Sequence, residues 1–142
     1  LPQAPATGRA ATGSAQRALA SRYLVIAKAG NRRLDANFTR LAHRDRNRLA
    51  AAEADLRDVA ATEQLFDRRL LEIAFAPGIE QVVRLLYRVN QARARLTSAA
   101  AAATSLGQLH AYDRRLTAAN RPVEQAVRTI RRQLGLPPPS AS

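Results

Sequence analysis

Cysteine, methionine and tryptophan are all missing from this 142-residue chain. Without a thiol there is no disulfide, no thiolate ligand for a metal and no cysteine nucleophile, and the redox compartment is left open. Aromatic residues amount to three Tyr and three Phe, too few to form a stacking platform for single-stranded nucleic acid. The six glycines never fall into a GxG or GxxG pattern, so no glycine-rich phosphate loop is present, and neither a nucleophile elbow nor HExxH occurs. The longest nearly apolar run, LVIAKAG from Leu24, is too short and too interrupted to span a bilayer. β-branched residues are thinly spread, which disfavours a sheet. Lysine occurs once, as Lys28, against 22 arginines.

What remains is alanine, leucine and arginine. Apolar residues make up 46% of the chain, but much of that is alanine, which buries little area per residue. A core therefore requires closely packed helices. The length supports one domain.

The opening LPQAPATGRAATGSA is small and proline-containing, and residues 1–13 read as a disordered linker. Such an arm suits a chain that follows a cleaved leader or lipid anchor, so an exported or lipid-anchored extracellular setting is expected over a cytoplasmic one. The bundle is expected over 14–135. Its first helix covers 15–42 with Ser14 as cap, on the stripe Leu19, Tyr23, Ile26, Gly30, Leu34, Phe38 and Leu41. The phase slips after Gly30, so a kink or a pair of helices is expected there. HRDRNR, His43 to Arg48, turns the chain, with Asp45 or Asn47 as the next N-cap; one long helix across both segments is the rival reading. Helix two, 48–75, has a 3.5-residue repeat: Leu49, Ala52, Leu56, Val59, Glu63, Phe66, Leu70 and Ile73. Pro77 ends it.

Helix three, 79–103, carries Ile79, Val82, Leu86, Val89, Arg93, Leu96, Ala100 and Ala103 on its stripe. Ser105 and Gln108 form a capping-box pattern ahead of helix four, 105–134, which Asn120 and Pro122 kink or restart. Gly135 is a suitable C′ residue, and residues 136–142 form a proline-rich tail. Four helices of similar length with short loops imply an all-α, antiparallel up-down-up-down bundle.

The net charge is +12, unevenly spread. Residues 1–48 hold ten basic and two acidic groups, as do residues 81–142, whereas residues 49–80 hold three basic and seven acidic. The second helix is therefore an acidic element between two basic segments.

Two polar constellations follow. Glu63 interrupts an apolar seam near the bundle's middle, at the level of Arg93, Asn120 and Asn31. Those four residues read as a polar core layer that fixes register, as a small ligand pocket, or as a seam edge where Glu63 reaches solvent. Arg84, Arg88 and Arg95 on helix three, with Arg121, Arg128, Arg131 and Arg132 on helix four, recur at near-helical spacing and suit phosphates held without sequence preference. No metal site is expected, because neither His43 nor His110 follows a glutamate by three residues. Glu53, Asp58, Asp67 and Glu72 are placed on the solvent face of helix two, paired with arginines. No catalytic residues and no cofactor are expected. The chain reads as a non-catalytic, exported or surface-tethered interaction or structural module with a protein partner or self-association. Binding of a polyanion or nucleic acid is the alternative.

Overall fold

The computed structural model of the chain describes residues 3–139, and side chains from Gly13 onward. Five α-helices follow one another: α1 (Gln3–Arg40), α2 (Leu49–Leu71), α3 (Pro77–Ala100), α4 (Leu106–Ala111) and α5 (Asp113–Gln133), with a π-helical turn (Leu41–Asp45) after α1. The long helices α1, α2, α3 and α5 make an all-α four-helix bundle in up-down order. Consecutive members pack closely, while α1 and α5 touch little. No helix among the described residues is long and apolar enough to cross a membrane.

Local chemistry explains where the boundaries fall. α1 begins at Gln3, well before Ser14, and so takes in most of the segment expected as linker. Its alanines favour helix, and Pro5 falls in the first turn, where the backbone N–H has no helical partner to lose. Leu1, Pro2 and residues 140–142 of the tail lie outside the described residues. α1 also passes through Gly30 without interruption. The expected phase slip is corrected by burial: Tyr23 and Asn37 are each 1% exposed, whereas Phe38 is 47% exposed. The inward line is Tyr23, Ala27, Gly30, Leu34, Asn37 and Leu41, an unbroken 3.5-residue repeat that a polar Asn37 conceals.

The chain does turn between the first two helices, so they are separate. Asp45 and Asn47 are not the N-cap of α2. That position is Arg48, extended at φ −122° and ψ 98° with no side-chain cap bond, and the Asp45 carbonyl instead accepts from Arg48 N at 2.9 Å. α2 stops at Leu71, short of the expected end at 75, because the chain leaves the helix through a turn and bend that put Ile73 and Phe75 into the core. Pro77 begins α3 rather than ending α2, since it occupies the first turn, where its missing N–H costs nothing.

α3 ends at Ala100, three residues before the expected boundary. Ser105 Oγ then accepts from Gln108 N at 3.1 Å, while Gln108 Oε1 accepts from Thr104 N at 2.9 Å. This capping box has its reciprocal arm displaced by one residue. The fourth segment breaks at Tyr112, not at Pro122, through which α5 continues. Gly135, at φ 72°, closes α5 as a Schellman motif: Leu136 N donates to Arg131 O at 2.8 Å and Gly135 N to Arg132 O at 3.1 Å.

Two apolar clusters fill the bundle. The larger centres on Tyr23, Leu70, Leu86 and Ile130, with Tyr23 edge-on to Phe66 at 6.5 Å between ring centroids. The smaller centres on Ala52, Leu56, Ala100 and Leu109, where alanines let α2 and α3 approach closely. Burial pushes the Tyr23 phenol up to about 12. Truncating this ring removes the largest fully buried side chain. Tyr23→Ala is therefore expected to lower unfolding free energy by about 3–5 kcal/mol, by analogy with other buried aromatics. Urea denaturation measures this directly.

Candidate functional site

Between the two apolar clusters lies a polar layer built from α2, α3 and α5. α2 supplies Glu63 and Asp67, side chains one turn apart on its buried side, 3% and 0% exposed. α3 supplies Asn90 and Arg93. Asn90 Nδ2 donates to Asp67 Oδ1 at 2.7 Å and reaches the Glu63 carbonyl at 3.3 Å, and Gln91 Nε2 donates to Asp67 Oδ2 at 2.9 Å. The guanidinium of Arg93 spends Nη2 on Asn90 Oδ1 at 2.8 Å and Nη1 on Asn120 Oδ1 of α5 at 3.1 Å. Its Nε lies 3.3 Å from Glu63 Oε1, an ion-pair contact that does not close as a hydrogen bond. Glu63 Oε2 is buried with no hydrogen-bond partner.

Electrostatics follow from that count of charges. Two carboxylates share one cation in a dry layer. Burial pushes Glu63 up to about 7, against the pull of Arg93 and with a further push from Asp67. Burial likewise raises Asp67 to about 6, opposed by the hydrogen bonds from Asn90 and Gln91 and by Arg93.

Two cavities flank the layer along the loosely closed α1–α5 side, and both are lined by Glu63 and Arg93. One, of about 490 Å³, lies toward the end of α1 and the start of α5, with Phe38, Leu41, Leu56 and Leu116 as apolar walls. The other, of about 650 Å³, runs toward Pro139 and has Lys28, Arg128 and Arg131 in its wall.

The structure thus brings Glu63, Arg93 and Asn120 together. Asn31 is exposed and reaches no member of the layer by hydrogen bond, standing instead in the wall of the larger cavity. The sequence pattern does not single out Asn90, Gln91 or Asp67, and Asp67, expected on the solvent face, is fully buried instead. The buried line of α3 is Val83, Leu86, Asn90, Ala94, Thr97 and Ala100, which shares Leu86 and Ala100 with the apolar stripe on which Arg93 stands out and elsewhere runs one position beyond it. The polar Asn90 and Thr97 hid that line.

A second buried polar group closes the end of the bundle near the π-helical turn. Arg40 binds Asn37 and sits 3.3 Å from Asp55 Oδ1, and Arg44 Nε donates to Asp45 Oδ1 at 2.9 Å. The Arg44 hydrogen bond holds Asp45 below the usual carboxylate range, helped by one from Asp55. Burial, with the hydrogen bond to Asp45, raises Asp55. The two carboxyls are therefore pushed in opposite directions, Asp45 down and Asp55 up. No group of three or more His, Asp or Glu among the described residues is placed to hold a metal ion.

The arginines proposed for polyanions do not form one surface. Arg84, Arg88 and Arg95 are exposed on the side of α3 that Gln91 turns toward α2, and Arg84 pairs with Glu80 at 2.7 Å. Arg131 is half-buried and donates to Pro137 O at 2.6 Å. Arg121, Arg128 and Arg132, joined by Arg114, share the outward face of α5. All four are exposed and form no ion pair with any described residue. Comparison of the chain with protein-family models, curated proteins and solved structures returns no match.

Proposed function

We propose that the chain is a non-catalytic helical interaction module whose outer α5 face docks an anionic partner. The observation that carries this reading is the row Arg114, Arg121, Arg128 and Arg132, four exposed guanidiniums without an ion-pair partner among the described residues. At 1.5 Å per residue the row spans about 27 Å, several phosphate spacings of a duplex. Guanidinium forks suit phosphate, sulfate and carboxylate alike. The α3 arginines border acidic α2, which moderates their charge, so α5 is the stronger candidate.

Binding to a labelled mixed-sequence duplex and to heparin, each at roughly 50, 150 and 300 mM salt, tests the reading. Duplex affinity in the micromolar range at 150 mM, falling steeply with salt, is expected. The triple change Arg121→Gln, Arg128→Gln, Arg132→Gln should flatten the logarithmic salt slope by about 2–3. The matched change at Arg84, Arg88 and Arg95 should do less. Equal preference for heparin would reduce the reading to generic polyanion capture. No binding to either at 150 mM would leave the row as a solvated face and sink the proposal.

A further inference from the structure

The smaller cavity has the make-up of a small-molecule site. Its volume of about 490 Å³ falls in the range in which proteins enclose small ligands, with apolar walls and few convergent polar groups. Phe38, Leu41, Leu56 and Leu116 supply the walls, and Glu63 and Arg93 stand where the cavity reaches the polar layer. We infer that this cavity binds a small amphiphile with a singly charged ammonium head, received by Glu63 Oε2, and an apolar body lying against Leu41, Leu56 and Leu116.

The head group is assigned by elimination among the atoms of the layer. Asp67 has both oxygens occupied by Asn90 and Gln91, and Arg93 has its two terminal nitrogens occupied by Asn90 and Asn120 and its Nε held against Glu63 Oε1 at 3.3 Å. Glu63 Oε2 is the acceptor left over, on a side chain 97% withdrawn from solvent. A buried oxygen in that state is costly, and because Glu63 lines the cavity, turning its carboxylate toward a donor there relieves the cost. Charge narrows the choice further. At pH 8, above the values at which both acids release their protons, two carboxylates face one guanidinium, so a cationic donor completes the balance, a neutral alcohol satisfies only the hydrogen bond, and a carboxylate head meets repulsion from Glu63.

The same reasoning separates the two cavities. In the wall of the larger one Lys28, Arg128 and Arg131 outnumber Asp35 and Glu124, so an ammonium group meets a net positive wall there. The charged wall residues of the smaller one are Arg46 and Asp113 as well as the Glu63–Arg93 pair, which cancel in sign. The +12 charge of the chain opposes any cation at long range, but salt screens it beyond about 8 Å under physiological conditions. This site opens beside the start of α5, apart from the row of arginines on its outer face, so either proposal can fail without the other.

Titration calorimetry and thermal shift at pH 8, where Glu63 is ionised, with n-hexylammonium, 1-hexanol and hexanoate, which share one apolar body, test the assignment. Hexylammonium is expected to bind at least about ten-fold more tightly than hexanol, with hexanoate weaker than both. Glu63→Gln keeps a hydrogen-bonding head in the layer and is expected to abolish the ammonium preference while retaining hexanol binding. Leu116→Phe, which fills the cavity from its α5 wall, is expected to weaken all three ligands by about ten-fold or more, and it tests the location should Glu63→Gln fail to fold. Hexylammonium binding no tighter than hexanol, an unchanged preference in Glu63→Gln, undiminished binding in Leu116→Phe, or no binding by any of the three up to about 10 mM would each overturn the proposal.

Discussion

Replacing Arg93 by methionine is expected to cost about 3–5 kcal/mol of folding stability near pH 8, more than any other single surface-to-layer change in the bundle. Methionine keeps most of the side-chain volume, so the loss is electrostatic rather than a cavity. Without the guanidinium, Glu63 and Asp67 are two buried carboxylates with no cation, and Asn90 Oδ1 loses the donor that holds it at 2.8 Å. The reverse change, Glu63→Leu, should cost less, about 1–2 kcal/mol, because Arg93 retains a route to solvent along exposed Asn120 and still serves Asp67. The double variant is expected within about 1–2 kcal/mol of the parent, since a buried ion pair seldom outperforms apolar residues of similar volume. Urea denaturation of the four proteins gives the coupling energy directly. Additive costs would show that the pair does not act as a unit, and would remove the layer's claim to fix the register of α2 against α3.

That layer was partly legible in the sequence, and the part that was legible is instructive. Glu63 and Arg93 each stand where a 3.5-residue apolar repeat calls for a hydrophobe, so a charge there declares itself. Asn120 shared their level in an antiparallel arrangement. Asn90, Asp67 and Asn37 declare nothing, because a polar residue off the apparent stripe looks like surface. In α3 the true inward line runs through Asn90 and Thr97, with the apolar stripe of Val82, Val89 and Leu96 half-buried toward α5. In α1 the exposed Phe38 imitated a core position and produced a false phase slip. A sequence pattern reports apolar spacing, and here tertiary hydrogen bonds decide which of two adjacent lines faces in. The four-helix architecture survived these errors because it rests on helix count and loop length. Boundaries were less forgiving. Pro77 fits either side of a junction, and only the inward packing of Ile73 and Phe75 places it at the start of α3. The break at Tyr112 has no glycine or proline to announce it; Tyr112 instead lies beneath Arg115, whose guanidinium carbon is 4.3 Å from the ring centroid.

The protein is expected to be most stable in mild acid and to lose stability as pH rises through neutrality, against the common pattern for carboxylates in ion pairs. Folded Glu63 holds its proton up to about 7 and folded Asp67 up to about 6, whereas their ordinary values are 4.5 and 3.8. The folded chain therefore binds more protons than the unfolded chain between about pH 4 and pH 7, and in that window stability falls with rising pH. The contribution of each group is complete below its unfolded value and is lost as pH passes through its folded value. Shifts of this size correspond to on the order of 3 kcal/mol for each group. Asp55, raised by burial and by Asp45, acts in the same direction. Asp45 acts oppositely: the hydrogen bond from Arg44 lowers it, so its contribution is present at neutral pH and is lost only in stronger acid. Together these place the optimum near pH 4–5. A melting midpoint lower by about 10 °C at pH 8 than at pH 5 is expected for a chain of this length. Glu63→Gln with Asp67→Asn should flatten most of that slope. Circular dichroism melts across the range provide the measurement. A midpoint that rises between pH 5 and pH 8 would mean that Arg93 outweighs burial in the layer, leaving both acids ionised and the ion pair as the dominant force across the centre of the bundle.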